Sequence, residues 1–132
     1  MIFVDASALC AILLAEPDAD MLAAKMLGEP GLLTSAVAVY EAVAVLSRAA
    51  KGDVQAARQD VADMLRGNDI RLVPIGDAER ELALDAFDRY GKGRHPARLN
   101  MGDCFAYACA RTHGAALLFK GDDFALTDIA VA

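Results

Sequence analysis

Five acidic side chains occupy places where a catalytic carboxylate would be useful: Asp5, Glu41, Asp103, Asp122 and Asp123. Asp5 closes the apolar run Ile2-Phe-Val4, and ligand crevices of open α/β sheets lie just beyond the carboxyl ends of such strands. Glu41 is the only charged residue between Ala36 and Leu46; an ionised carboxylate on so apolar a helix is expensive to bury unless a cation or a proton answers it. Asp103 follows Leu99-Asn-Met-Gly102 at the start of a helix, and Asp122 and Asp123 follow the run Leu117-Leu-Phe119, again past a strand end. In a parallel sheet such ends converge on one edge, where gathered carboxylates repel one another. A divalent cation removes that repulsion. His and Cys are absent from these positions, so every donor is an oxygen, which selects Mg2+ or Mn2+ over zinc. An ion held this way polarises a phosphodiester, lowers the pKa of a bound water and steadies the leaving oxygen.

Each acid taken alone also has a structural explanation. Asp5 and Ser7 suit the cap of the helix that follows, and Asp103 and Asp123 suit helix or turn caps of their own. Glu41 has Arg48 two turns along as a salt-bridge partner. The joint delivery of carboxylates by two strand ends and two helices is what asks for a common cause.

The elements that must position them alternate. Ile2 to Val4 is strand-like, a helix runs from about Ala6 to Leu14, Glu16-Pro-Asp18 breaks it, and a second helix carries Met21 to Leu27. Leu32 to Thr34 is the next strand, followed by helices from about Ala36 to Ala50 and from Asp53 to Leu65. Ile70 to Pro74 returns to a strand, Asp77 to Tyr90 is an amphipathic helix, and Gly91 to Arg98 is a charged loop. Asp103 opens the last long helix, Ala115 to Phe119 forms the last strand, and Ile129 to Ala132 adds a short edge strand. The order βααβααβααβ predicts an α/β fold with three layers, helices covering both faces of a mainly parallel sheet of four to five strands.

A chain of 132 residues, 56% of them hydrophobic, is expected to form one domain over 1–132 with a substantial core. A net charge of −6 and a pI near 4.7 exclude binding of nucleic acid by overall charge. Any such contact must be local, and the densest basic cluster is Lys92, Arg94, His95 and Arg98, joined by Arg111 and Lys120 as candidate phosphate contacts. Arg111 also suits a structural counter-ion, and Tyr40, Tyr90 and Tyr107 suit core or dimer contacts. Cys10, Cys104 and Cys109 lack disulfide or zinc spacing and read as reduced core residues. With no basic leader and no apolar run of about 20 residues, a cytoplasmic location and no membrane contact are expected.

Over nearly its whole length the sequence resembles the PIN-domain nucleases of the VapC toxin type. The likeness runs through Ile2-Phe-Val-Asp-Ala-Ser-Ala-Leu9, Val39-Tyr-Glu-Ala42, Tyr90-Gly-Lys-Gly-Arg-His95, Leu99-Asn-Met-Gly-Asp-Cys-Phe-Ala106 and Leu117-Leu-Phe-Lys-Gly-Asp-Asp-Phe124. It implies a Mg2+- or Mn2+-dependent endoribonuclease acting on tRNA or ribosomal RNA and held inactive by a VapB-type antitoxin. It also implies that Asp5, Glu41 and Asp103 are the family's first three metal-binding acids, with Ser7 supporting the first. The fourth acid often lies at a position that here falls on Gly121, so that role passes to Asp122 or Asp123, with Asp122 preferred. A mean hydropathy of +0.31 suggests apolar surface for a homodimer, and for an antitoxin helix between the helices Met21 to Leu27 and Val37 to Leu46. Two other classes compete. A receiver-like signalling domain would use Lys120 after a late strand but requires paired acids after the first strand, where Asp5 stands alone. A catalytically inactive PIN-fold binding module would keep only the partner groove.

Overall fold

The computed structural model describes residues 1–132. Four strands, β1 (Ile2–Val4), β2 (Leu32–Ser35), β3 (Ile70–Val73) and β4 (Ala116–Leu118), form one sheet in the order β3-β2-β1-β4. All three pairings are parallel, with Phe3 opposite both Leu33 and Leu117. The helices are α1 (Ala6–Leu13), α2 (Ala19–Met26), α3 (Ala36–Ala49), α4 (Val54–Gly67), α5 (Asp77–Tyr90) and α6 (Met101–Thr112), with a 3-10 turn at Phe124–Leu126.

Because successive strand side chains point to opposite faces, β1 divides its residues between two cores. Ile2 and Val4 join Leu9, Leu22, Leu46 and Val61 on the side covered by α1 to α4, whereas Phe3 joins Leu99, Tyr107 and Leu117 on the side covered by α5 and α6. Leu32 and Leu33, and likewise Leu118 and Leu117, split the same way. The continuous apolar composition of β1 and β4 thus has its cause in burial on both faces, and the expected three layers are present.

The sheet has four strands. Ile129 to Ala132 runs beside β4 but makes a single bridge, Leu117 to Val131, rather than a fifth strand. Of the two cap candidates for α1 one is selected, and the start of α6 differs from expectation. The cap of α1 is Asp5, whose Oδ2 accepts the Ser7 backbone N–H at 3.0 Å, so Ser7 lies inside the helix. Asp103 does not open α6: Asn100 caps it, accepting the Asp103 N–H at 2.9 Å, while Asp103 Oδ2 accepts the Asn100 N–H at 3.0 Å. Asn at the cap and an acid three residues on form a reciprocal capping box, a pairing that outcompetes Asp103 as a cap. Tyr90 and Tyr107 are core residues, but Tyr40 is exposed. The three cysteines are free and buried, and no helix is long and apolar enough to cross a membrane.

Candidate active site

Strand order places the site. The chain moves outward from β1 to β2 to β3, then returns to the other side of β1 for β4, so the direction reverses between β1 and β4. Adjacent loops part at such a reversal and leave a crevice at the carboxyl ends of the strands. Asp5 follows β1 there, its backbone N–H bonded to the Leu118 carbonyl at 3.0 Å, and Lys120 follows β4. The resulting cleft, about 440 Å3, is lined by Asp5, Ser7, Glu16, Glu41, Asn100, Asp103 and Lys120 among others.

Three of the predicted acids therefore face one space. Asp5 is 4% exposed. Its Oδ2 takes two bonds from Ser7, the backbone N–H and the hydroxyl at 2.6 Å, while Ser7 Oγ accepts the Lys120 N–H at 3.0 Å. This short chain joins the ends of β1 and β4. It also leaves Asp5 Oδ1 as the oxygen turned to other partners, and the Asn100 bond does the same for Oδ1 of Asp103. Burial raises Asp5 above the usual carboxylate range, against the lowering effect of the Ser7 bonds. Burial, then the charges of Asp5 and Asp103, pushes Glu41 up to about 7. Asp103 is pushed up to about 6, by burial first, with the Asn100 bond opposing and the charges of Asp5 and Asp123 adding.

No cation relieves these three. Arg48 makes no ion pair with Glu41 and instead lines the hollow between α3 and α4. Lys120 is engaged by Glu16 and by Asp18 Oδ1 at 3.3 Å. The space for Glu41 comes from Gly102: a Cβ there would fall 2.1 Å from Glu41 Oε1 and 2.3 Å from Oε2. A bare glycine thus cradles the carboxylate against the first turn of α6. No three His, Cys, Asp or Glu side chains form a closed ligand set in this structure. Asp5, Glu41 and Asp103 nonetheless offer only oxygen, repel one another and pair with no lysine or arginine, while the Cys10 thiol beside them is pushed up to about 11, by burial first, and so is held protonated. A hard divalent cation suits them, and the N-termini of α1 and α6 add partial positive charge toward anions.

The other predicted residues distribute unevenly. Asp122 and Asp123 are exposed and outside the cleft lining. Of the two it is Asp123, not the preferred Asp122, whose charge acts on Asp103. Arg94 is tied to Asp88 at 2.6 Å. Half-buried His95 accepts the Ala97 N–H and sets its edge on Tyr90. Arg111 lies about 12 Å along the helix axis from Asp103, within 4.0 Å of Asp128, which removes it from the cleft. Lys92 and Arg98 are exposed and make no ion pair. Glu16 and Asn100 were not singled out from sequence. Asn100 carried a usable signal, a cap residue three positions before an acid; Glu16 looked only like a helix break. The predicted apolar groove is displaced too. The largest hollow, about 780 Å3, lies between α3 and α4, lined by Val39, Tyr40, Val43, Val61 and Leu65, because α2 packs on α1 and leaves α3 to α4.

The raised carboxylates give a stability prediction. Glu41 and Asp103 hold protons more tightly folded than unfolded, so their contribution is complete below their ordinary values and is lost as pH rises through about 6 to 7. One pKa unit corresponds to about 1.4 kcal/mol, and solvent in the open cleft reduces the effect, so roughly 2 kcal/mol is expected from Glu41. With chelator present, Glu41→Gln should match the parent in thermal midpoint near pH 4 and exceed it near pH 8. A midpoint difference that does not change with pH would contradict the crowding of carboxylates.

A parallel sheet with an acidic crevice at its topological switch defines an α/β domain with a ligand site at the carboxyl ends of its strands, and comparison with known proteins identifies which. A family model described as PIN domain matches residues 2–130. Ribonuclease VapC of Mycolicibacterium smegmatis is 41% identical over 127 residues, spanning 96% of this chain and 96% of that protein. A VapC ribonuclease of Rhizobium meliloti is 40% identical over 98% of this chain and 99% of its own, and ribonuclease VapC30 of Mycobacterium tuberculosis is 40% identical over 96% and 95%. The crystal structure of VapC20 of Mycobacterium tuberculosis, a toxin that cleaves the sarcin-ricin loop, superposes with a TM-score of 0.77 at 20% identity, covering 100% of this chain and 98% of that one. The chain belongs to the PIN-domain family, among the VapC ribonucleases.

Proposed function

We propose that this chain is a Mg2+- or Mn2+-dependent endoribonuclease, the toxin of a VapBC-type pair, that hydrolyses phosphodiester bonds of tRNA or ribosomal RNA in the cytoplasm. The observation that carries this is the cleft in which Asp5, Glu41 and Asp103 crowd one another without a basic partner. A divalent ion, which Asp5, Glu41 and Asp103 would hold, would supply a water of lowered pKa and polarise the phosphodiester. Asp5 and Asp103 each keep one oxygen fixed by α1 and α6 and offer the other to the cleft. Ser7 orients Asp5 through its hydroxyl. Asp123 adds negative charge beside Asp103 and is the better placed of the two late acids for the fourth position. Lys120, held at the mouth by Glu16 and Asp18, meets substrate phosphate. Lys92 and Arg98 extend that contact, since they are exposed cations without acidic partners.

The hollow between α3 and α4 is the seat for an apolar segment of a VapB-type antitoxin, and the exposed Tyr40 and Leu72 on its wall are the first side chains such a segment covers. The chain works as a homodimer through further apolar surface. The test is cleavage of bulk bacterial RNA by the purified chain: fragments should form with Mg2+ or Mn2+, disappear with excess EDTA and return when the ion is restored. Cleavage that persists in EDTA would reject the carboxylate-held ion. An absence of cleavage under every metal condition would leave a binding module in its place.

A further inference from the structure

A second hollow opens beside the carboxylate cleft, between α5 and α6. It holds about 280 Å3, and its walls include Leu84, Phe87, Met101 and Phe105 with Arg80 and Lys92. Asn100 lines both this hollow and the cleft, so the two spaces meet at the residue that fixes Asp103. Resting on the nuclease reading above, we propose that this hollow is a stacking subsite for a nucleobase of the RNA flanking the cleaved bond, with Phe87 as its platform.

Four observations converge on that occupant. Phe87, Leu84 and Met101 are exposed, Phe87 to 47%, although each would be expected to seek burial. The Phe87 ring lies against Gly91, where a Cβ would fall 2.3 Å from the Phe87 carbonyl oxygen and 2.7 Å from the ring Cδ2, so the end of α5 and the ring both close on a bare glycine. The Arg94 guanidinium stands 5.7 Å from the ring centroid and is anchored by Asp88. Finally, the lining contains no carboxylate in a protein of net charge −6, and of its two cations Arg80 is paired with Glu81 at 2.8 Å and Asp77 at 3.6 Å while Lys92 is not. Lys92 is free of ion pairs and suits the phosphate of the same nucleotide. An aromatic platform with adjacent cations is the arrangement that holds single-stranded bases with little regard to sequence. A second copy of this chain suits the hollow less well, because a two-fold contact sets a patch against itself and would bring the unpaired Lys92 toward its own counterpart.

The chain contains no tryptophan, so Phe87→Trp in the Asp5→Asn background creates a single emitter on the platform. The probes are a short oligoadenylate and an abasic ribose-phosphate strand of equal length and charge. Quenching by the oligoadenylate and not by the abasic strand is expected. In the chain with Asp5 intact, Phe87→Ala should slow cleavage of bulk RNA roughly five- to hundredfold, and Phe87→Tyr should restore it. Equal quenching by both strands, or none, alongside normal Mg2+-dependent cleavage by the unaltered chain, overturns the subsite and leaves the nuclease standing. Conversion of a dimer to a monomer by Phe87→Ala in light scattering, without quenching of the tryptophan variant, reassigns the face to self-association. Lack of cleavage by the unaltered chain removes both.

Discussion

Asp5→Asn is expected to lower Mg2+-dependent RNA cleavage at least roughly a hundredfold and to abolish growth arrest on expression, with the fold intact. Asn caps helices as well as Asp, so the carbonyl oxygen of the new amide keeps the bonds from the Ser7 N–H and hydroxyl that now fall on Asp5 Oδ2. The backbone bond to Leu118 is untouched. What disappears is a buried negative charge that burial already disfavours. Circular dichroism should therefore be unchanged, and the thermal midpoint in chelator should not fall. RNA cleavage within a few-fold of the parent would show that the chemistry does not pass through the end of β1.

Gly102→Ala should separate activity from stability even more cleanly. Ala is more favourable than Gly in a helix by up to about 1 kcal/mol, less at this first-turn position, so secondary-structure preference predicts a small gain. The added Cβ, however, would fall within 2.1 to 2.3 Å of the Glu41 carboxylate, the flexible end of a side chain. The flexible end of Glu41 yields first, swinging out of the cradle while the helices stay in place. A misplacement of about 1 Å in a catalytic group is enough for roughly hundredfold loss of rate. Cleavage should therefore drop about a hundredfold with a thermal midpoint equal to or above that of the parent. Glu41, once displaced, should titrate nearer the ordinary carboxylate range than the value of about 7 it has beside Asp5 and Asp103. Full activity in Gly102→Ala would remove Glu41 from the reacting centre.

The parts of this molecule that were legible in its sequence are those written in local pattern. Short, largely apolar segments between amphipathic stretches marked β1 to β4 and all six helices, and Asp5, Glu41 and Asp103 stood out because a lone acid in apolar surroundings is costly to bury. The order β3-β2-β1-β4 was not legible, since nothing in a linear pattern says on which side of β1 the last strand returns. Capping was only partly legible: Asn100 and Asp103 satisfy each other, and Asp103 alone mimics a helix start. Gly102 was invisible because its role lies in an atom it lacks, and the Glu41 that needs the space is 61 positions away. Lys120 was seen as a free cation, whereas Glu16 and Asp18, about a hundred residues earlier, hold its ammonium.

The run from Ile129 to Ala132 lies along the outer side of β4: Leu117 donates to the Ala130 carbonyl and accepts from the Ala132 N–H, and Lys25 of α2 reaches the Ala132 carbonyl at 2.7 Å. It therefore acts as a cover strip that occupies the donors and acceptors an incoming strand would seek. Backbone pairing of another strand with Leu117 is blocked on that flank, so neighbours meet β4 there through side chains rather than by zipping backbones together.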